Sequence, residues 1–257
     1  MKTIKITPYN SITFIIILFT ALFSQICTSL PSNEKIKLKI SYLNLNIVNV
    51  YVNFFNEKDN KQITILVNSS GISNAFIKIC NKYQCLSAEN FLPFIYTKEI
   101  HQSNYQEQCI IQYKHKTKEA LKKDILNGIN EKYTIKNNTY DFFSGLFYIR
   151  SQDLQVNDSI SFFVDANAVI WKIRAVMIKK DKLKTKIGTF DAIKCQITFE
   201  RISKKKRASN SDILTNNLVS EKNKLYLWFS DDDNHIPLKA VYDMFPFNVA
   251  WKIEDYQ

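Results

Sequence analysis

The sequence predicts an all-β, mainly antiparallel fold: a curved sheet, sandwich-like or a partly open barrel, with one or two short helices packed on it. Three observations carry that prediction. From Lys35 onward the dominant hydrophobic period is two, as in Ile36, Leu38, Ile40 and Tyr42. Strand-like runs recur at short spacing, separated by polar turns. The 257 residues, 46% hydrophobic and 23% charged, have an ordinary globular composition and enough length for a sizeable core. Four glycines and five prolines exclude collagen-like and linker-like readings and leave no glycine cluster to cradle a phosphate. The net charge of +11 is spread along a Lys-, Asn- and Ile-rich chain, so it carries no argument for nucleic acid.

The N-terminus reads as an export signal. Lys2 and Lys5 precede the apolar run Ile12 to Phe23, and a polar stretch of small residues follows. Cleavage after Ser29 places Cys27 and Ser29 at the small positions before the bond, leaving a single β-rich domain over residues 30–257. The alternative is an uncleaved inner-membrane anchor, since no charge stands between Lys5 and Glu34. The apolar run is shorter than the roughly 20 residues a spanning helix needs, which favours cleavage and a periplasmic or envelope location. Ile26 before Cys27 disfavours a lipoprotein signal.

In an exported chain the remaining cysteines, Cys80, Cys85, Cys109 and Cys195, are even in number and fit disulfide chemistry better than a metal site. With a two-residue turn at Lys82-Tyr83, Cys80 and Cys85 face each other across a hairpin, at a separation that suits a bridge. Cys109 and Cys195 sit in apolar runs and read as buried thiols.

Along the chain, the apolar phase of residues 36–42 slips to Leu43, Leu45 and Ile47, then back to Val48, Val50, Val52 and Phe54. No Gly or Pro marks a turn there, so the stretch reads as one long, bulged strand. In the second half, alternation recurs from Ile160, from Val169 with a turn at Lys180-Asp181, from Ile193, and in three closing runs from Leu225, Ile236 and Phe247. Two β halves, 36–116 and 154–256, are thus joined by a segment 117–150 that breaks the period. Within it, residues 117–127 are rich in helix formers and end at Gly128. Residues 140–149 place Phe142, Leu146 and Ile149 at helical spacing, with Thr139 as N-cap; being apolar nearly all round, this helix belongs buried against the sheet.

The order of these elements resembles a bacterial family, domain of unknown function 3108. The resemblance rests on an aspartate-led helix ending in Arg, here Asp141 to Arg150, and a Gly-aromatic turn feeding a strand, here Gly188-Thr189-Phe190. It rests also on Trp228-Phe229-Ser230-Asp231-Asp232 followed by Pro237, and is strongest over residues 139–243. The resemblance implies export and fold; it implies no reaction. The cysteines and the Lys204–Arg207 insertion depart from the family pattern.

No residue is assigned a catalytic, cofactor-binding or metal-binding role. Ser230 to His235 reads as a polar hairpin turn, because Asp and Asn favour turns by bonding their own backbone. A triad drawn from one turn lacks the required geometry, and the spacing of an EF-hand is absent. Lys204, Lys205, Lys206 and Arg207 form either a solvated loop or a peripheral contact with anionic headgroups.

Two functions of different class follow. The leading one is a non-enzymatic envelope binding or scaffold protein whose concave apolar surface takes a lipid-like or peptide ligand or a partner protein. The alternative is a hydrolase or carbohydrate-active enzyme using two of Asp141, Asp165, Asp191, Asp231 and Asp232.

Overall fold

A computed structural model describes residues 30–43, 45–57, 60–71, 78–153, 155–205, 212–222, 224–243 and 248–257. The predicted export signal, residues 1–29, lies outside them. Among the described residues, alternating burial builds fifteen strands. The first eight are β1 (Asn33–Tyr42), β2 (Leu45–Glu57), β3 (Asn60–Ser69), β4 (Ile79–Ser87), β5 (Pro93–Gln102), β6 (Tyr105–Lys114), β7 (Glu119–Asp124) and β8 (Asn130–Thr134). A short β9 (Thr139–Asp141) leads into helix α1 (Phe142–Arg150), followed by β10 (Ser159–Ala166), β11 (Val169–Thr185) and β12 (Gly188–Arg201). Helix α2 (Ile213–Leu218) then precedes β13 (Leu225–Ser230), β14 (Pro237–Tyr242) and β15 (Val249–Tyr256).

All fifteen strands belong to one sheet, in the order β8 to β1 followed by β15 down to β9. The two halves seen in sequence are therefore one surface, stitched by the antiparallel β1–β15 pair. The parallel β9–β10 pair is the exception to an antiparallel ladder. Laid flat, fourteen strand spacings would span about 67 Å. Yet the two edges, β8 and β9, are joined by only residues 135–138, a reach of at most about 18 Å. The sheet must curl almost full circle.

Side chains, rather than backbone pairing, close the gap. The Tyr113 hydroxyl of β6 donates to Asp165 Oδ2 of β10 at 3.1 Å, and the Tyr133 hydroxyl of β8 donates to the same oxygen. Lys98 Nζ reaches Asn167 Oδ1 at 2.9 Å across the same seam. Burial holds the Asp165 carboxyl above the usual range, while these two hydroxyls oppose the shift.

α1 fills the curl. Asp141 caps it, its Oδ1 accepting from the amides of Phe143 and Ser144 at 3.0 Å. The cap is thus Asp141 rather than the predicted Thr139, whose hydroxyl is occupied by the Lys136 backbone. Phe147 packs on Phe54 (5.1 Å between centroids) and Phe91 (5.7 Å), and Phe143 on Tyr83 (4.8 Å). The helix presses so closely on β10 that a Cβ at Gly145 would stand 3.0 Å from the Phe162 ring and 3.2 Å from Val164.

Four predicted elements are corrected. The phase slip near Leu43 is a hairpin turn between β1 and β2, with Leu43 itself at φ +52°. The helix-rich segment 117–127 is β7, where Ala120 is buried and pairs with Tyr113 and Tyr133. Pairing in the sheet overrides its helix propensity, and Gly128 (φ +66°) serves the β7–β8 turn. Lys180-Asp181 lies inside the unbroken β11, with the ladder slip falling between Met177 and Lys179. Cys80 and Cys85 both lie on β4, which runs straight through Lys82-Tyr83. Five residues apart on an extended strand, they are about 16 Å apart and point to opposite faces, too far for a bridge. Cys80 is an exposed free thiol, and Cys85 is a buried one.

Candidate functional site

The inward faces of β1, β2, β14 and β15 carry aliphatic and aromatic side chains, as the period-two pattern dictates. They do not fill the space above them. An open groove of about 370 Å³ remains between Ile40, Val48, Tyr242 and Trp251 on the sheet and Leu214 and Leu218 on α2. Among the described residues no charged side chain lines it. A narrower continuation of about 80 Å³ runs toward α1, bounded by Leu38, Val50, Phe143 and Phe147, and it shares Leu214 and Trp251 with the groove. Arg150 and Lys239 are the charged residues of that inner end.

α2 is a six-residue helix, too short to stand alone, and polar bonds hold it over the groove. Its cap Asp212 is buried and accepts from the Tyr83 hydroxyl at 2.9 Å, which in turn accepts from Asn81 Nδ2. Asn216 accepts from Asn167 Nδ2 at 3.2 Å, and the Ile213 amide donates to Gln102. The polar interior lies beside β4–β6. There Glu107 receives Lys98 at 2.6 Å and Lys122 at 2.5 Å, and the two ammonium groups outweigh burial and hold its carboxyl down at about 2.

The inner end is closed by a buried ion pair. Arg150, the last residue of α1, donates Nη1 to Glu34 Oε1 at 2.5 Å and Nη2 to Oε2 at 3.1 Å. Its Nε reaches the His235 carbonyl at 2.9 Å, and Nη2 the Asn234 carbonyl at 3.1 Å. His235 Nδ1 meets the Arg150 carbonyl at 2.8 Å, so turn and helix end hold each other in both directions. Burial, then Glu34, pushes the Tyr256 hydroxyl up to about 12.

The family model for the group described as a protein of unknown function (DUF3108) matches residues 37–246. The chain belongs to the DUF3108 family. No curated protein matches the sequence. Among solved structures, a β-barrel-like protein of the domain of unknown function DUF1849 from Brucella abortus is similar at a TM-score of 0.59 and 6% identity, covering 89% of this chain and 98% of that one. A Bacteroides fragilis NCTC 9343 protein with a YmcC-like fold aligns at a TM-score of 0.33 and 6% identity, over 89% of this chain and 97% of that one. At such identity the likeness to the first concerns the fold alone.

The motif positions of this DUF3108 chain are accounted for by the architecture. Asp141 caps α1, and Arg150 ends it in the ion pair. Gly188 (φ +142°) opens β12, a conformation that suits glycine. Ser230 to His235 is the predicted turn between β13 and β14: Ser230 Oγ donates to Asp232 at 2.7 Å and accepts from the Ile236 amide. Asp231 receives Lys180 at 2.6 Å. Trp228 Nε1 donates to Asp181, with Lys194 and Lys239 over its ring at 4.8 and 4.7 Å. Pro237 lines the inner end of the cavity.

Among the carboxylates weighed for catalysis, Asp141 and Asp165 come together as partners on β9 and β10. Both are buried, and burial raises both. Asp141 Oδ1 caps a helix and Asp165 ties the seam, which explains them structurally. Asp191 is exposed, and Asp231 and Asp232 lie in the turn. Lys204 is exposed, Lys205 pairs with Glu131, and Lys206 and Arg207 lie outside the described residues. Among the described residues no group of three or more His, Cys, Asp or Glu side chains is placed to hold a metal, and no helix is long and apolar enough to cross a membrane.

Sequence reasoning missed Glu34, Trp251 and α2. Only the alternation of Glu34 with Ile36 and Leu38, on the buried face of β1, could have signalled a carboxylate aimed inward.

Proposed function

We propose that this protein is a non-enzymatic binding protein of the bacterial envelope, exported by residues 1–29, that holds an acyl-chain-like ligand in the groove beneath α2. The observation that carries this reading is an opening of about 370 Å³ with no charged side chain among the described residues of its lining. That volume lies in the range of small-molecule sites, roughly 300–1,000 Å³. Ordered water is poorly held there, because each buried molecule needs about three polar partners. Tyr42, Asn217 and Tyr242 are the polar side chains among the described residues of the lining.

Titration of residues 30–257 with a fluorescent long-chain fatty acid tests the reading. Saturable binding is expected, displaced by unlabelled fatty acid. Val249→Trp, which places an indole in the groove beside Trp251, should abolish it while leaving the melting temperature within a few degrees. Equal binding by the wild type and Val249→Trp would contradict the assignment.

A further inference from the structure

The meander sorts its connections into two ends. One end carries, among the described residues, the β1–β2, β5–β6, β7–β8 and β10–β11 turns and α2 between β12 and β13. Among the described residues ten large hydrophobic side chains are exposed, and six of them sit on this end's connections or directly beside them: Leu43, Leu45, Ile125, Leu126, Ile129 and Ile213. The other four, Tyr51, Phe55, Ile110 and Ile178, lie within strands, and none is on a described turn of the opposite end. Loop tips ordinarily carry polar residues, so Leu43 and Leu45 at 52% and 61% exposure require a reason.

The same end carries exposed lysines. Lys78, Lys123, Lys204, Lys222 and Lys224 form no ion pair among the described residues, whereas Lys205 is paired with Glu131. The described anions on this end are mostly engaged: Glu131 pairs with Lys205, Asp212 is buried as the cap of α2, Glu221 accepts from the Arg201 amide and Asp124 is bonded by Asn127, while Glu200 is exposed and Asp243 partly so. The mouth of the groove opens here, since Tyr42 and Ile47 of its lining flank the Leu43–Leu45 turn and Ile213 lines it directly.

We propose that this end docks on a lipid bilayer bearing anionic headgroups, with Leu43, Leu45 and Ile213 entering the interface around the groove mouth. Apolar tips ringed by unpaired cations match the chemistry of that boundary, acyl chains below and phosphates above. The inference rests on the proposed function for its purpose, loading or release of an acyl chain without passage through water. Its own evidence is the distribution of exposed residues.

The test is co-sedimentation of residues 30–257 with phosphatidylcholine vesicles and with vesicles containing 30% phosphatidylglycerol. Partition into the anionic vesicles should exceed that into neutral ones by at least tenfold and weaken with salt. Leu43→Asp/Leu45→Asp/Leu126→Asp, which leaves the groove lining untouched, should lower it at least tenfold, while Ile110→Ser/Ile178→Ser on the outer face should leave it unchanged. All five positions are exposed, so folding is expected to survive, and thermal melting checks it. Absence of vesicle binding, or binding indifferent to the tip substitutions, would overturn the proposal and leave the apolar end to a protein partner. The carrier reading is scored separately with fatty acid delivered from cyclodextrin. A tip variant that binds fatty acid but not vesicles supports both, a protein that docks but binds no fatty acid sinks the carrier reading alone, and one that binds fatty acid but no vesicle sinks the docking alone.

Discussion

Arg150→Met removes the cation that ties α1 to β1 and to the Ser230–His235 turn. The guanidinium makes four hydrogen bonds: two to Glu34 and one each to the Asn234 and His235 carbonyls. Arg150 and Glu34 are each about 2% exposed, so water cannot replace the lost partner. Stranding a buried charge costs about 3–5 kcal/mol, and the buried His235 carbonyl and part-buried Asn234 carbonyl lose a donor besides. We expect a loss near 4 kcal/mol in urea unfolding, equivalent to a fall of roughly 8–16 °C in melting temperature for a chain of this size. The partner change separates charge from packing. Glu34→Met/Arg150→Met no longer strands a carboxylate, so the double variant should be more stable than Arg150→Met alone. A loss under about 1 kcal/mol, or a double variant worse than the single one, would refute the reasoning.

Three further predictions concern the interior. Glu107 titrates at about 2 against an ordinary 4.5, so its pairing stabilises the fold above pH 4.5 and that contribution fades as pH falls toward 2. Glu107→Gln should therefore cost about 3 kcal/mol at pH 7, with the two stability curves converging near pH 2; a constant offset across that window would contradict the pairing. Asp165, held high, acts with the opposite sign, gaining stability as pH falls, but it is common to both proteins and cancels in the difference. Native residues 30–257 should take up one maleimide, at Cys80, because Cys85, Cys109 and Cys195 are buried and burial pushes the last two thiols up to about 12. No adduct, together with a mass two daltons low, would indicate a bridge. Gly145→Ala gains helix propensity of up to about 1 kcal/mol but drives a methyl into Phe162, which Tyr140 and Tyr148 hold edge-on. We expect a net loss of about 1 kcal/mol by chemical denaturation, and a stabilised variant would show that β10 gives way.

How much of this was legible follows from particular residues. The inward set Ile36, Leu38 and Ile40 is fixed by period two, and a buried α1 by Phe142, Phe143 and Phe147 together. The turn at Ser230–His235 was readable because Asp and Asn bond their own backbone. The β1–β2 turn was not, because Leu43 adopts a left-handed conformation that sequence rules reserve for Gly or Asn. With four glycines in the chain, several turns use non-glycine residues this way, among them Lys118 and Ala168. β7 was misread because intrinsic propensity favours a helix in "TKEALKKDIL", and only its neighbours on both sides make it a strand. The Arg150–Glu34 pair joins positions 116 apart, which no local pattern encodes. The groove was hidden for a related reason. Alternation tells which side chains face inward, but whether they meet across the curl depends on sizes summed over distant strands.

Native mass spectrometry of residues 30–257, purified gently from an exporting bacterial host, tests the central claim most directly. A noncovalent species of lipid-like mass is expected, released by organic extraction and missing from Val249→Trp. A clean unliganded mass for the wild type, unchanged after incubation with long-chain fatty acid, would contradict it.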